Sequence, residues 1–328
     1  MDLSTQYLGL TLKNPLVPSA SPLSRSLDTA RRLEDAGASA LVMYSLFEEE
    51  IRQEDELFDT YLFNQNIGHA EADSYRPFPE EHGSIIDNYL AQLARLKQAL
   101  EIPVVASLNG ISAGGWVDHA LEIQQTGADA LELNIYFVAA DISESSEAVE
   151  QRYLDTLAAV KSRLEIPLIV KLSPFFSSVG NMVKRLDAAG ADGVSLFNRF
   201  YQPGIDLESL EVKPQLQLSR SSESLLAMRW IAMLHNRVDL TLAATGGIHE
   251  AEDVIRLLLA GADVTHLCAT LLQHSPEYLA TILVQLQQWM EDNEYQSVTQ
   301  LRGSVSQQHA ANPVAYERAN YIEVLRSL

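Results

Sequence analysis

One phrase recurs along this chain: an apolar helix end, then Gly-Ala, often an acid, then strand-forming residues. It reads Gly37-Ala38-Ser39-Ala40-Leu41-Val42, Gly127-Ala128-Asp129-Ala130-Leu131, Gly190-Ala191-Asp192-Gly193-Val194 and Gly261-Ala262-Asp263-Val264. A second junction occurs twice, as Leu100-Glu101-Ile102-Pro103-Val104-Val105 and Leu164-Glu165-Ile166-Pro167-Leu168-Ile169. Glycine ends a helix in a left-handed conformation that other residues resist, and proline cannot continue one. Six junctions of this kind imply an alternating β/α chain with a parallel sheet and helical connections. Chemistry in such folds gathers at the C-terminal ends of the strands.

The strands are expected at Pro15–Ser19, Ala40–Ser45, Pro103–Leu108, Ala130–Tyr136, Pro167–Leu172, Gly193–Asn198, Leu240–Ala244 and Val264–Ala269. Several are unbroken aliphatic runs, as strands covered on both faces should be. Between them the helical period is plain: Ile86, Leu90, Leu93, Leu96 and Leu100 share one face, as do Val149, Tyr153, Leu157, Val160 and Leu164. Eight such units favour a closed (β/α)8 TIM barrel over an open sheet, and Gly110, Gly114 and Gly115 do not match the dinucleotide fingerprint. A barrel takes roughly 250 residues. The 328 residues therefore leave room for an N-terminal hairpin over Tyr7–Leu12 and for insertions near 46–84, 138–148 and 199–222, after strands two, four and six. C-terminal helices are expected from Ser275-Pro276 to Trp289 and from Asn312-Pro313 to Leu325. A single domain spanning 1–328 is expected.

A formal charge of -21 argues against binding nucleic acid or an anionic membrane surface. Cys268 is the only cysteine, so neither a disulfide framework nor a cysteine metal cluster is expected, and no metal site is assigned. The sequence shows no signal peptide and no apolar run of the ~18 residues a membrane helix needs. A cytoplasmic protein is expected.

Candidate chemistry lies at the strand ends. Strand five, Val170-Lys171-Leu172, carries a lysine in an apolar run. It reads as an ion pair inside the barrel, as a Schiff-base nucleophile, or as a cation against an anionic cofactor ring; its position favours a functional role. In strand four, alternation puts Glu132, Asn134 and Tyr136 on one face, where Asn134 offers both a donor and an acceptor at the barrel mouth or caps the next loop. Strand six ends in Asn198, followed by Arg199, which reads as a surface ion pair. Strand seven ends in Thr245-Gly246-Gly247-Ile248 before a helix, and strand eight in Cys268-Ala269-Thr270. Paired glycines before a helix let backbone N–H groups approach an anion, and these two loops commonly form a phosphate site in such barrels. Cys268 reads as packing.

These elements together resemble the dihydroorotate dehydrogenase family of FMN-dependent barrels, over most of the chain from Asn14 to Leu271. The matched motifs are Ala20-Ser21 after strand one, Leu133-Asn134-Ile135, Val170-Lys171-Leu172, Asn198, and Thr245 to Ile248. The resemblance implies FMN at the mouth, bound through Ala20, Ser21, Ser45, Asn134, Lys171, Asn198, Thr245, Gly246, Gly247, Ala269 and Thr270. Lys171 would lie near the flavin N1–C2=O and the two asparagines would bind the substrate. Departures are as telling. The family's Cys or Ser base, three residues after the strand-four asparagine, falls at Phe137; its second asparagine at Ala139; and its strand-two lysine at Tyr44. An acidic insertion replaces the asparagine-rich loop after strand two. Tyr136, Tyr44 and Asp141 are the groups left to move a proton.

The leading expectation is a flavin-dependent oxidoreductase acting on CH–CH groups. It passes hydride between flavin N5 and a small ring substrate, with Lys171, Asn134 and Tyr136 catalytic and dihydroorotate itself disfavoured by Phe137. The alternatives are a Schiff-base lyase using Lys171 on a phosphorylated substrate, and a flavin-binding protein without catalysis. A separate redox partner and a homodimer fit the resemblance.

Overall fold

The computed structural model describes residues 1–54, 56, 84–110, 113–317 and 325–326, with backbone alone at 113–115. A hairpin of β1 (Thr5–Tyr7) and β2 (Leu10–Leu12) precedes β3 (Leu16–Pro18), β4 (Leu41–Phe47), β5 (Val104–Asn109), β6 (Ala130–Asn134), β7 (Leu168–Leu172) and β8 (Gly193–Leu196). A second hairpin, β9 (Pro203–Asp206) and β10 (Glu211–Pro214), comes before β11 (Thr241–Thr245) and β12 (Val264–Leu267). Eight strands form one sheet in the order β3-β12-β11-β8-β7-β6-β5-β4, every neighbouring pair parallel. Its outer strands meet through Ser39, whose N–H and hydroxyl both donate to the Leu16 carbonyl (3.1 and 2.8 Å). The result is the expected (β/α)8 TIM barrel.

The recurring phrase has a structural cause. Gly37, Gly127, Gly190 and Gly261 all have positive φ, between 92° and 122°, the conformation glycine takes without steric cost. The acid that follows reaches back to the adjacent strand: Asp129 Oδ2 accepts from Val104 N, Asp192 Oδ2 from Leu168 N and Asp263 Oδ2 from Leu242 N (2.7, 2.7 and 2.8 Å). Each carboxylate also meets a cation, Lys97, Lys161 and Arg302 respectively. In these three units the acid thus supplies an N–H at the start of the preceding strand with an acceptor.

Alternation along the strands sorts the side chains. Leu131, Leu133, Leu168, Val170, Val194 and Leu242 face outward into the core shared with the helices. Facing inward, Val17, Val42, Val105, Ala130, Ile169, Ala243 and Val264 form an apolar floor with Tyr7, Leu8 and Leu12 of the hairpin, which stops the N-terminal end of the barrel. Gly193 makes room for that stopper, since a Cβ there would stand 2.8 Å from Leu8 Cδ2.

The three insertions differ. After strand two, 48–54 is helical and Glu54 Oε2 accepts from Ile85 N (2.9 Å), while the rest of that expected insertion, from 57 to 83, lies outside the described residues. The stretch 138–148 is mostly exposed coil. The third insertion contains the β9–β10 hairpin, which the sequence pattern does not announce. The closing helix spans Tyr278–Asp292; Ser275-Pro276 forms a turn before it, with Tyr278 N donating to Ser275 O (3.2 Å), instead of capping it. The last expected helix is seen over Val314–Glu317, and 318–324 falls outside the described residues.

Candidate active site

The C-terminal ends of the strands surround a cavity of about 390 Å³, within the range of small-molecule and cofactor sites. Ala20, Ser21, Ser45, Asn134, Tyr136, Lys171, Asn198, Thr245, Gly246, Gly247 and Ala269 all line it. Thr270 does not; it is fully buried and its hydroxyl donates to the His249 carbonyl (3.1 Å). Cys268 and Arg199 also reach the wall, and Arg199 pairs with Glu223 (2.5 Å) as the sequence suggested. Burial pushes the Cys268 thiol up, which disfavours the reactive thiolate.

One side of the cavity is amide-rich. Asn134 and Asn198 are linked, Asn198 Nδ2 donating to Asn134 Oδ1 (2.8 Å). That bond leaves the Asn134 NH2 and the Asn198 carbonyl to face a ligand. Asn109, at the end of β5 and level with Asn134 in the sheet register, adds a third amide. Over them, Tyr136 stacks on Phe200 (4.7 Å between ring centroids), Phe175 packs edge-on to Phe200 (5.0 Å), and the Tyr136 hydroxyl oxygen accepts from Tyr201 N (3.4 Å).

Gly246 and Gly247 form the opposite side, with φ of +91° and +70°. At Gly247 a Cβ would lie 2.4 Å from Ser224 N and 2.7 Å from Arg220 O, so this glycine is required by the segment folded over it; at Gly246 a Cβ would make only an ordinary 3.8 Å contact with Phe197 O. The helix that follows, Ala251–Ala260, is capped from within, because Asp253 Oδ2 accepts from His249 N and Glu250 N (3.0 and 3.3 Å). An anion here would therefore rest on the glycine amides more than on that helix end.

Lys171 enters from below, 8% exposed, its Nζ 3.4 Å from Oε1 of the fully buried Glu132. Glu132 Oε1 also accepts from Ser107 Oγ (3.4 Å), which in turn bonds Ser45 Oγ at the cavity wall (2.8 Å). His266, on β12, lies across the barrel with Nδ1 3.8 Å from Glu132 Oε2. Burial holds its imidazole pKa down to about 4, so the ring is neutral at pH 7. The sequence marks Lys171 by its charge in an apolar strand. Asn109 and His266 carry a subtler mark: each occupies an inward-facing position of its strand, two residues after an inward apolar one for His266 and four after for Asn109.

Of the groups proposed to replace the family base, only Tyr136 reaches the cavity. Tyr44 packs edge-on against Tyr89 (5.1 Å) and under Arg25 (4.1 Å) outside it. Asp141 is exposed and accepts from Ser143, which lowers its pKa. Phe137 points away from the cavity, its ring 5.8 Å from Tyr153 and under the Arg152 guanidinium (4.5 Å).

Fold and site together define a barrel enzyme with a polar strand-end pocket opening beside a buried lysine. Residues 80–290 match the family model described as dihydroorotate dehydrogenase. The catalytic subunit of dihydroorotate dehydrogenase B (NAD(+)) from Shouchella clausii is 30% identical over 62% of this chain and 68% of its own length. Its counterpart from Thermoplasma acidophilum is 24% identical over 92% and 98%. The NAD-dependent dihydropyrimidine dehydrogenase subunit PreA of Escherichia coli K12 is 23% identical over 92% and 76%. The chain belongs to the dihydroorotate dehydrogenase family, whose members are flavin-dependent oxidoreductases acting on CH–CH groups.

Proposed function

We propose that this chain binds FMN at the barrel mouth and passes hydride between flavin N5 and a small cyclic amide, with dihydroorotate a poor substrate. The reading is carried by one observation: Lys171 and three strand-end asparagines share a single cavity whose far wall is Gly246-Gly247. Bound FMN would supply a centre that takes or gives two electrons as hydride. Lys171 would hold the N1–C2=O edge, where negative charge gathers on reduction, and the amides of Gly246, Gly247 and Ala269 would hold the phosphate. The Asn134 NH2 beside the Asn198 carbonyl complements a ring edge that offers C=O next to N–H.

Proton handling separates this chain from dihydroorotate oxidation, which needs a base at carbon. Phe137 cannot serve, and it is turned from the cavity; Tyr136 is the group that can carry the proton, its oxygen positioned by Tyr201 N–H. The Glu132 contact to Lys171 weighs against the Schiff-base alternative, because that amine is already engaged. Relatives named as a catalytic subunit and as subunit PreA support a separate redox partner; with a single cysteine, this chain cannot itself hold a cysteine-ligated iron–sulfur cluster.

The test is visible absorption of the purified protein, then anaerobic mixing with dihydropyrimidines, other cyclic amides and dihydroorotate. Flavin bleached by a cyclic amide faster than by dihydroorotate supports the reading. Dihydroorotate as the best reductant refutes the substrate assignment, and bound flavin that no ring compound reduces favours the non-catalytic alternative.

A further inference from the structure

Beneath the cavity, Glu132 is fully buried, and Oε2 is one of two buried side-chain atoms among the described residues without a hydrogen-bond partner. A buried carboxylate oxygen left unpaired is costly. Among the described residues, the polar contact recorded to it comes from His266, whose Nδ1 stands 3.8 Å from Oε2 and 3.5 Å from Ser195 Oγ. On the ring's other side, the hydroxyl of Tyr7 lies 3.3 Å from Nε2. Tyr7 belongs to the hairpin that stops the barrel floor, so one polar column runs from floor to mouth: Tyr7, His266, Glu132, Lys171.

The column bears on where the ring proton sits. Tyr7 is fully buried, and burial with the nearby Glu132 charge raises its pKa well above the ordinary value, so it keeps its proton. With Nε2 as the acceptor of that proton, the single N–H of a neutral imidazole falls on Nδ1, facing Glu132 and the Ser195 hydroxyl oxygen. The opposite tautomer would set the Nδ1 lone pair toward a carboxylate oxygen, with the Ser195 hydroxyl at 3.5 Å as its donor, and would strand the Tyr7 hydrogen. The ionisable groups facing the ring are Tyr7, Glu132 and Lys171.

We propose that His266 is a positioning residue: a neutral imidazole, set by Tyr7, whose Nδ1–H dipole faces the Glu132 carboxylate from 3.8 Å, steadies it by electrostatic attraction, and through it keeps Lys171 at the cavity. That Lys171 is held toward a flavin rests on the proposed function; the column itself does not. The test uses nuclear magnetic resonance on the full chain, labelled with 15N. Ring correlations of His266 should report a neutral, Nδ1-protonated ring from pH 5.5 to 8, and Tyr7→Phe should move the proton to Nε2. A wild-type ring protonated on Nε2, or cationic at pH 6, overturns the proposal. The second readout is the Lys171 side-chain ammonium signal at pH 6, assigned by its loss in Lys171→Met. It should persist in His266→Asn, whose amide nitrogen falls near Nδ1, and be lost in His266→Leu. Persistence in both variants, or loss in both, overturns the positioning role. Neither readout needs bound flavin, so a flavin-free wild type would refute the cofactor assignment alone.

Discussion

His266 gives the protein one acid-sensitive contribution to stability whose size follows from its burial. Its imidazole, fully buried, is held down to about 4 from an ordinary value of 6.5, chiefly by burial, with Glu132 opposing and Lys171 assisting. A histidine whose folded pKa lies below its unfolded one takes its proton in the unfolded chain first. Stability is therefore intact above about pH 6.5 and falls as the pH drops toward 4. At about 1.4 kcal/mol per pH unit, the full interval is worth about 3 kcal/mol, of which about 2 kcal/mol is lost by pH 5. That is a large share of the 5–15 kcal/mol typical of folded domains. The assay is urea unfolding at pH 8, 6 and 5 for wild type and His266→Asn. The variant starts lower at pH 8 because it leaves a smaller side chain in the interior, but it should lose about 2 kcal/mol less than wild type between pH 8 and 5. Parallel losses would refute the argument, because His266 would then titrate alike in both states.

Lys171→Ala should weaken FMN binding about tenfold or more and lower the potential of flavin that remains, read by fluorescence titration and redox dye equilibration; unchanged values would remove Lys171 from the site. Phe137→Ser should cost roughly 1–3 kcal/mol in unfolding free energy by losing its packing on Tyr153 and Arg152, without creating dihydroorotate oxidation. Fast flavin reduction in that variant would show that position 137 does face the substrate. Gly246→Ala should cost about 1–2 kcal/mol from its positive φ alone, whereas Gly247→Ala must also displace Ser224 and Arg220 and should cost about 3 kcal/mol or more. Equal thermal shifts would contradict that difference.

The barrel was legible because its repeat is local. Each of the four phrases carries its own helix stop, and the three that read Gly-Ala-Asp also carry an acceptor for the neighbouring strand, so they announce the architecture from local sequence alone. Alternation likewise placed Glu132, Asn134 and Tyr136 on one inner face, and the structure has all three inside the barrel or at its mouth. What the sequence hides is partnership across the barrel. Glu132 and His266 sit on strands separated by three others in the sheet, and no spacing rule joins them. The segment 216–219, which walls the cavity, and the β9–β10 hairpin before it are likewise set by tertiary packing. Gly247 has a second reason to be glycine that the sequence does not show: close approach of Ser224 already demands one, whatever its amide binds.

A crystal structure of the protein grown with FMN would decide where the cofactor lies. The isoalloxazine ring should lie against Lys171 with the ribityl phosphate on the amides of Gly246 and Gly247, and Phe137 should remain outside the pocket. Flavin bound elsewhere, or a phosphate far from those glycines, would contradict the site proposed for this chain.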